Sequence, residues 1–461
     1  MSSSSPVPAP PAARSVLAER DFRVVLFGQG LSAVGDGVAF TALPLLVLQL
    51  TGSGLQMGIV GALQFLPDLL LGLPAGVLAD RMDRRRMMLL ADLARAILVG
   101  LIPLSLVLGI PTMGVILLVI VPINAMRVVF MAGYTGAVPN LVGRERLGQA
   151  TSYFEAAFAL GWIVGPALAG VLAAAIGPGP TLAIDALSFL ASAISLTLVR
   201  RSLRATGDRV RRGLVREIGE GIAFVARHRT LRAAVAHWSF YTIAVAPLVA
   251  VITYYVTVDR HLAADALGTG IAAFGAGSLA GSLASSRLMG RSLGRLMAAG
   301  TAVSGSMMVL LGFAETLLPM ALLAFLAGLG ESLVLVSYVA LRAGLTPDEL
   351  LGRVGATTRT ISLGFQPVGM LVGGILLEAV GGQRTLFTVG GAVIAMSLLT
   401  SLWPSLRQAR LPTRAEVTRE ADGRFGGTEL GGPIPHAEVS RHPEAGSETA
   451  VRSAEPAAAP E

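Results

Sequence analysis

The chain of 461 residues contains no cysteine and no lysine. Without cysteine there are no disulfides, thiolate metal sites or cysteine nucleophiles. Without lysine there is no Gly-x-x-x-x-Gly-Lys phosphate loop, so ATP is not expected to drive the protein directly. His-Glu-x-x-His is missing as well, which disfavours an enzyme; neither a cofactor nor a metal is expected. Charged residues are scarce at 14%, and aromatics scarcer at 5%. What fills the chain is apolar. Hydrophobic residues make up 53% and the mean hydropathy is +0.69, the balance of a membrane protein with many spans. The net charge of +7 invites a nucleic-acid reading, but the arginines gather in the gaps between apolar runs, and topology accounts for them without such a partner.

Taken in order, the runs predict an all-α membrane protein with twelve transmembrane helices, near 23–50, 55–79, 87–109, 112–138, 147–176, 181–199, 231–257, 264–288, 295–314, 317–341, 353–380 and 384–404. Each approaches or exceeds the roughly 20 residues that a bilayer requires. The gaps alternate in charge. Arg20, Arg23, Arg81 to Arg86, Arg144, Arg146, Arg200 to Arg232, Arg287 to Arg295, Arg342, Arg353, Arg407 and Arg410 fall on one side, and only Arg260 and Arg384 on the other. Basic loops face the cytoplasm, so both termini are expected there, in a multi-pass protein of the cell (plasma) membrane.

Residues 1–20, rich in Ser, Pro and Ala, lack the apolar core of a signal peptide and read as a disordered cytoplasmic tail. Residues 21–199 and 231–406 read as two six-helix bundles, and 407–461 as a second disordered tail. Between the bundles, in a linker over 200–230, Leu214, Ile218, Ile222 and Val225 recur opposite Arg216, Glu217, Glu220 and Arg227. That spacing predicts an amphipathic helix at the inner interface.

Between the second and third runs lies Gly76-Val-Leu-Ala-Asp80-Arg81-Met-Asp83-Arg84-Arg85-Arg86. It resembles motif A of the major facilitator superfamily through Gly76, Asp80, Arg81, Arg84 and Arg85. Asp83 stands where the general pattern has glycine, and this form resembles the drug:proton antiporter branch that includes macrolide-efflux and enterobactin-exporter-like proteins. Helix five carries Gly161-x-x-x-Gly165-Pro166-x-x-x-Gly170, which is similar to the glycine-proline motif C of facilitator exporters, except that Ala169 replaces a further glycine. Close backbone approach at the glycines is its physical content.

The resemblance implies two parallel six-helix repeats, and the chain carries internal landmarks of them. At an offset of 205, Gly281-Ser-Leu-Ala284 falls on Gly76-Val-Leu-Ala79, and at 204 Gly369 falls on Gly165 and Gly374 on Gly170. Ser285 and Ser286 replace Asp80 and Arg81 in the second copy.

Ionisable side chains deep in a bilayer cost about 2.5–3.5 kcal/mol each on insertion scales, so each requires a reason. Asp36 lies about 20 Å along helix one by the helical rise, and Gln29, Ser32 and Asp36 share one stripe. Arg127 and Glu331 sit at similar depth in helices four and ten. In the facilitator fold helices one, four, seven and ten line a central cavity, so the resemblance implies that Asp36, Arg127 and Glu331 surround it as proton or substrate groups. Asp68 is a further candidate without a nameable partner. Asp92 and Arg95 are expected to support the cytoplasmic gate formed by Gly76, Asp80, Arg81, Asp83, Arg84 and Arg85. Packing is the expected role of Tyr134, Tyr241 and Tyr338, snorkelling or loop pairing that of Glu155, His237 and Arg359, and Asp185, placed near the outer end of helix six, is given no function.

Together these readings describe a secondary active transporter, monomeric in its bilayer, that exports a small amphipathic organic compound in exchange for protons by alternating access. An importer or lysolipid flippase is the alternative within transport. An intramembrane enzyme or a non-transporting sensor is the alternative outside it.

Overall fold

The computed structural model describes residues 15–203, 214–288, 292–347 and 349–410, without the side chains at 72–73, 76–77, 79–81, 144, 214–218 and 286. Every regular element among them is helical. In order these are α1 (Arg20–Thr51), α2 (Gly54–Arg81), α3 (Arg84–Val107), α4 (Thr112–Val142), α5 (Leu147–Ile176), α6 (Pro178–Leu198), α7 (Leu214–Arg227), α8 (Arg229–Val245), α9 (Leu248–Tyr254), α10 (Ala264–Leu288), α11 (Leu293–Leu311), α12 (Leu317–Gly344), α13 (Leu351–Gly364), α14 (Gln366–Leu402) and α15 (Pro404–Arg407).

Eleven helical stretches among the described residues are long and apolar enough to cross a bilayer. The chain is an all-α, multi-span membrane protein. Its reversals are short because the helix ends are capped locally. After α1, Gly52 adopts φ 63 and its N–H donates to Leu48 O at 2.8 Å, a left-handed stop that side chains with a Cβ resist. The next residue, Ser53, caps α2 by accepting from Gln56 N at 3.2 Å.

Two expected boundaries are corrected. The helix read over 353–380 is divided at Phe365 into α13 and the first part of α14, because Pro367 has no N–H to donate back to Leu363 and sits instead in the first turn of a new helix. The loop read between 380 and 384 is reduced to Gly381, at φ 78 and ψ 176 inside α14. Just past it, Gln383 N donates to Asp259 Oδ2 at 2.6 Å. Likewise the run over 231–257 is interrupted at Ala246 and Pro247, then closes in a π turn over Tyr255–Asp259.

Buried apolar residues gather in three clusters. One mixes residues of α1–α6, such as Leu46, Val60 and Ile120, with Val251, Tyr255, Leu267 and Leu377 of the later helices. A second lies wholly within 16–203 and a third wholly within 225–409. These last two sit at the arginine-rich end of the helices, the shared one at the opposite end. The two sets of helices thus join at one end and keep separate cores at the other. Small residues make the junction possible: Gly58 of α2 lies against Gly374 of α14, and Gly170 of α5 against Gly268 of α10.

The linker helix α7 docks on α13. Glu220 pairs with Arg353, Gly221 rests against the Arg353 backbone and the Thr357 side chain, and Val225 is buried while Ile222 is exposed. The side chains of Leu214, Arg216, Glu217 and Ile218 lie outside the described residues. Of the first tail, residues 1–14 lie outside as well. Val16–Ala18 form a turn whose Val16 N–H donates to Gln149 Oε1 at 3.1 Å, so ordered structure begins earlier than the expected boundary at 20. Residues 411–461 fall outside the described residues.

Candidate functional site

Where the two helical sets meet, Phe40, Leu43, Pro44 and Val47 of α1 and Met57, Val60, Gly61 and Gln64 of α2 face Val249 and Ala250 of α9 and Met370 of α14 across one pocket. Its lining is apolar except for Gln64. Helical spacing places the nearest charges: Asp36 is one turn before Phe40 on α1, and Asp68 one turn after Gln64 on α2. Since α1 and α2 run in opposite directions, both acids lie on the arginine-rich side of the pocket.

Each acid has an arginine. Arg95 NH2 of α3 donates to Asp36 Oδ1 at 2.6 Å, and Arg127 of α4 pairs with Asp68. Asn124 Oδ1 accepts a second bond from Arg127 Nε at 3.3 Å. Asp36 is the accessible member of its pair, with a side chain 37% exposed against 6% for Arg95. Arg95 also lies over the Phe189 ring of α6 at 3.7 Å, an apolar plate that holds its plane. Glu331 of α12 is half-buried and makes no hydrogen bond or ion pair among the described residues.

Several side chains lie elsewhere than expected. Arg95 reaches Asp36, not the basic hinge. Asp92, one turn before it, is 1% exposed and accepts from Ser192 Oγ of α6 at 2.6 Å. Asp185 is 3% exposed, buried against α1 and not near water. His237 is buried between α11 and α14, its ring nitrogens 3.0 Å from Thr301 Oγ1 and 2.7 Å from Thr400 Oγ1. The tyrosines, by contrast, pack as expected: Tyr241 and Tyr338 are buried and stack with Trp238, and Tyr134 packs among Phe130, Phe154 and Phe158.

At the hinge, α2 runs through Gly76 and Asp80 to Arg81, whose side chains lie outside the described residues. Asp83 caps α3, its Oδ1 accepting from Arg85 N at 3.0 Å and Arg86 N at 3.3 Å. Arg84 NH1 donates to Gly136 O at 2.7 Å, and Arg85 donates to Thr197 O. Both arginines therefore meet backbone carbonyls toward the C-terminal ends of α4 and α6, where the helix dipole favours cations. In α5, Gly161 and Gly165 lie against Ala33, Val34 and Gly37 of α1, and the Pro166 carbonyl and Gly170 lie against Gly268 of α10. The motif is thus wedged between both helical sets.

A bundle of membrane-crossing helices around an apolar pocket flanked by paired charges is the architecture of a membrane transporter of the major facilitator superfamily. The chain belongs to the family described as "Transmembrane secretion effector", whose model matches residues 12–429. It is 28% identical over 411 residues to the multidrug efflux pump Tap of Mycolicibacterium fortuitum, across 85% of this chain and 97% of that protein. Macrolide efflux protein A of Streptococcus pyogenes is 25% identical over 407 residues, across 85% of this chain and 97% of its own. Among solved structures, a mutant of the nucleoside transporter NupG aligns with a TM-score of 0.72 at 11% identity, over 83% of this chain and 99% of that one. An inward-facing, unoccupied bacterial homolog of the human lysosomal transporter Spinster aligns with a TM-score of 0.69 at 12% identity, over 86% and 98%. Identities that low establish the fold alone.

Proposed function

We propose that the protein is a proton-coupled exporter of small amphipathic organic compounds that works by alternating access, as a monomer of twelve crossings with both termini in the cytoplasm. The observation that carries this reading is the apolar pocket shared by both helical sets, with Asp36 and Asp68 one turn to its arginine-rich side. An apolar lining with a single amide suits a ligand that is mostly hydrocarbon with one polar group. The adjacent acids offer it a counter-charge and offer protons a place to bind.

The twelfth crossing is the part of α14 beyond Gly381. The stretch Leu351–Leu402 has 52 residues, about 78 Å of helix at 1.5 Å per residue, over twice the roughly 30 Å hydrocarbon thickness. The two-repeat reading draws support from Gly165 and Gly369, which pack inside their own sets against α1 and α8, while Gly170 and Gly374 pack across to the other set. With the basic loops on the cytoplasmic side, the separated cores would make this conformation inward-open. Asp80 and Arg81 would latch the cytoplasmic end in the opposite conformation, and Asp36, Asp68 with Arg127, and Glu331 are the coupling candidates.

Vesicle flux tests the reading. Everted vesicles with purified protein, challenged with dyes, macrolides and siderophore-like compounds, should take up at least one of them only under a proton gradient. Uptake that persists after the gradient is collapsed would refute coupling.

A further inference from the structure

Resting on the proton-coupled reading, we propose that Asp92 and Asp185, with Arg95 and the cavity-facing Asp36, form a proton-binding site inside the α1–α3–α6 interface. Nothing in the motif resemblance points to Asp185.

Three helices each bring one polar stripe to this interface. On α6, Asp185, Ser188, Phe189 and Ser192 recur at i, i+3, i+4 and i+7; on α3, Asp92 and Arg95 are one turn apart; on α1, Gln29, Ser32 and Asp36 share a face. The stripes interlock. Gln29 Nε2 donates to Ser192 Oγ at 2.9 Å, and Ser192 Oγ donates to Asp92 Oδ2 at 2.6 Å. Arg95 spans from the Phe189 face to Asp36. Asp185 lies directly on the α1 backbone beside Asp36, since a Cβ added at Gly35 would stand 2.8 Å from its Oδ1.

The charges do not balance. Asp36 pairs with Arg95, Asp92 lies one turn from Arg95 on α3, and Asp185, whose Oδ1 accepts from Ser188 Oγ at 3.4 Å, lies against Gly35 next to Asp36. Of the charged groups on the neighbouring helices, Arg127 of α4 is engaged by Asp68 of α2, and α5 carries Glu155, a further acid. Three carboxylates thus share one guanidinium, and full ionisation would leave two uncompensated negative charges in the membrane, which buried acids resist.

A second observation marks where a proton is held. Asp92 is 1% exposed, yet its Oδ1 has no hydrogen-bond partner, and neither has Arg95 Nε. Buried polar atoms are ordinarily paired, so an unpartnered carboxylate oxygen in this cluster is a place for a proton. Asp36, the exposed member, is the site's opening to the pocket. Protonation of Asp36 would release Arg95 to turn toward Asp92 and Asp185, so that occupancy of the inner acids and the charge facing the substrate change together.

The test is infrared difference spectroscopy of the full chain in lipid nanodiscs between acidic and alkaline pH, with isotope-labelled aspartate to separate aspartic acid bands from Glu331. A protonated aspartic C=O band that titrates in the wild type and is lost or displaced in both Asp92→Asn and Asp185→Asn is the expected result. Spectra of both variants that keep the wild-type band would overturn the proposal. Size-exclusion profiles confirm folding, and should Asp185→Asn not fold, Asp92→Asn decides alone. The readout needs no substrate. A titrating band lost in the variants without gradient-driven flux would sink the coupling reading while sustaining the site; gradient-driven flux with unchanged variant spectra would sink the site alone.

Discussion

Glu378 of α14 accepts hydrogen bonds at Oε2 from Ser53 Oγ, at 2.9 Å, and from Leu55 N, at 3.2 Å, capping α2 from the other set of helices. It is the polar fastening of the end at which the two sets join. An exposed carboxylate on a helix N-terminus contributes about 1 kcal/mol. Glu378→Gln should therefore shift the population roughly fivefold toward opening at that end. Distances between spin labels flanking Ser53 and Glu378 report the shift, and an unchanged distribution would remove Glu378 from the gate.

Gly58 and Gly374 allow that closure sterically, each lying against the Cα of the other. Gly58→Leu should hold the junction apart, abolish flux and leave the helices folded. Because the chain has no cysteine, a single cysteine introduced at Leu55 reports opening cleanly: the double variant should react faster with an impermeant maleimide than Leu55→Cys alone.

Arg95 is buried with its charge directed at Asp36. Removing the cation strands an acid cluster, at a cost below the roughly 3–5 kcal/mol of a fully buried pair because Asp36 is 37% exposed. Arg95→Met should accordingly lower the unfolding temperature in detergent well below that of Asp36→Asn, whose amide still fits the site. Equal melting of the two variants would mean that the pair contributes little to stability.

Gln64 is the one polar side chain in the pocket lining. Gln64→Leu should weaken transport of compounds with a hydrogen-bonding group about tenfold, in line with roughly 1.4 kcal/mol for one lost bond, while sparing the most apolar ones. Met370→Trp should fill the pocket and block all of them. Dose-dependent efflux of a matched compound series separates these outcomes.

How much of this was legible in the sequence depended on how local the signal was. The all-helical, multi-span character, the arginine asymmetry and the Gln29-Ser32-Asp36 stripe are properties of single segments, and they read directly. Pairing is not local. Asp68 meets Arg127 and Asp36 meets Arg95 across helices whose rotation about their own axes is set by packing, and no spacing within one helix reports that. Asp185 is buried although its count from the helix end suggests water nearby, because depth along one helix says nothing of which face packs on α1. Its recurrence with Ser188, Ser192 and Ser195 at helical spacing was the available sign of a buried polar face. The break at Phe365 was signalled by Pro367. The Gly381-Gly382 pair explains why no longer loop is needed between the two parts of α14.

The most direct test of the account is uptake of a responsive compound into everted vesicles under an imposed proton gradient, compared between wild type, Asp36→Asn and Asp68→Asn. The account predicts gradient-driven accumulation by the wild type and its loss in Asp36→Asn, with exchange of compound across the membrane in the absence of a gradient retained. Accumulation by Asp36→Asn equal to wild type would contradict it.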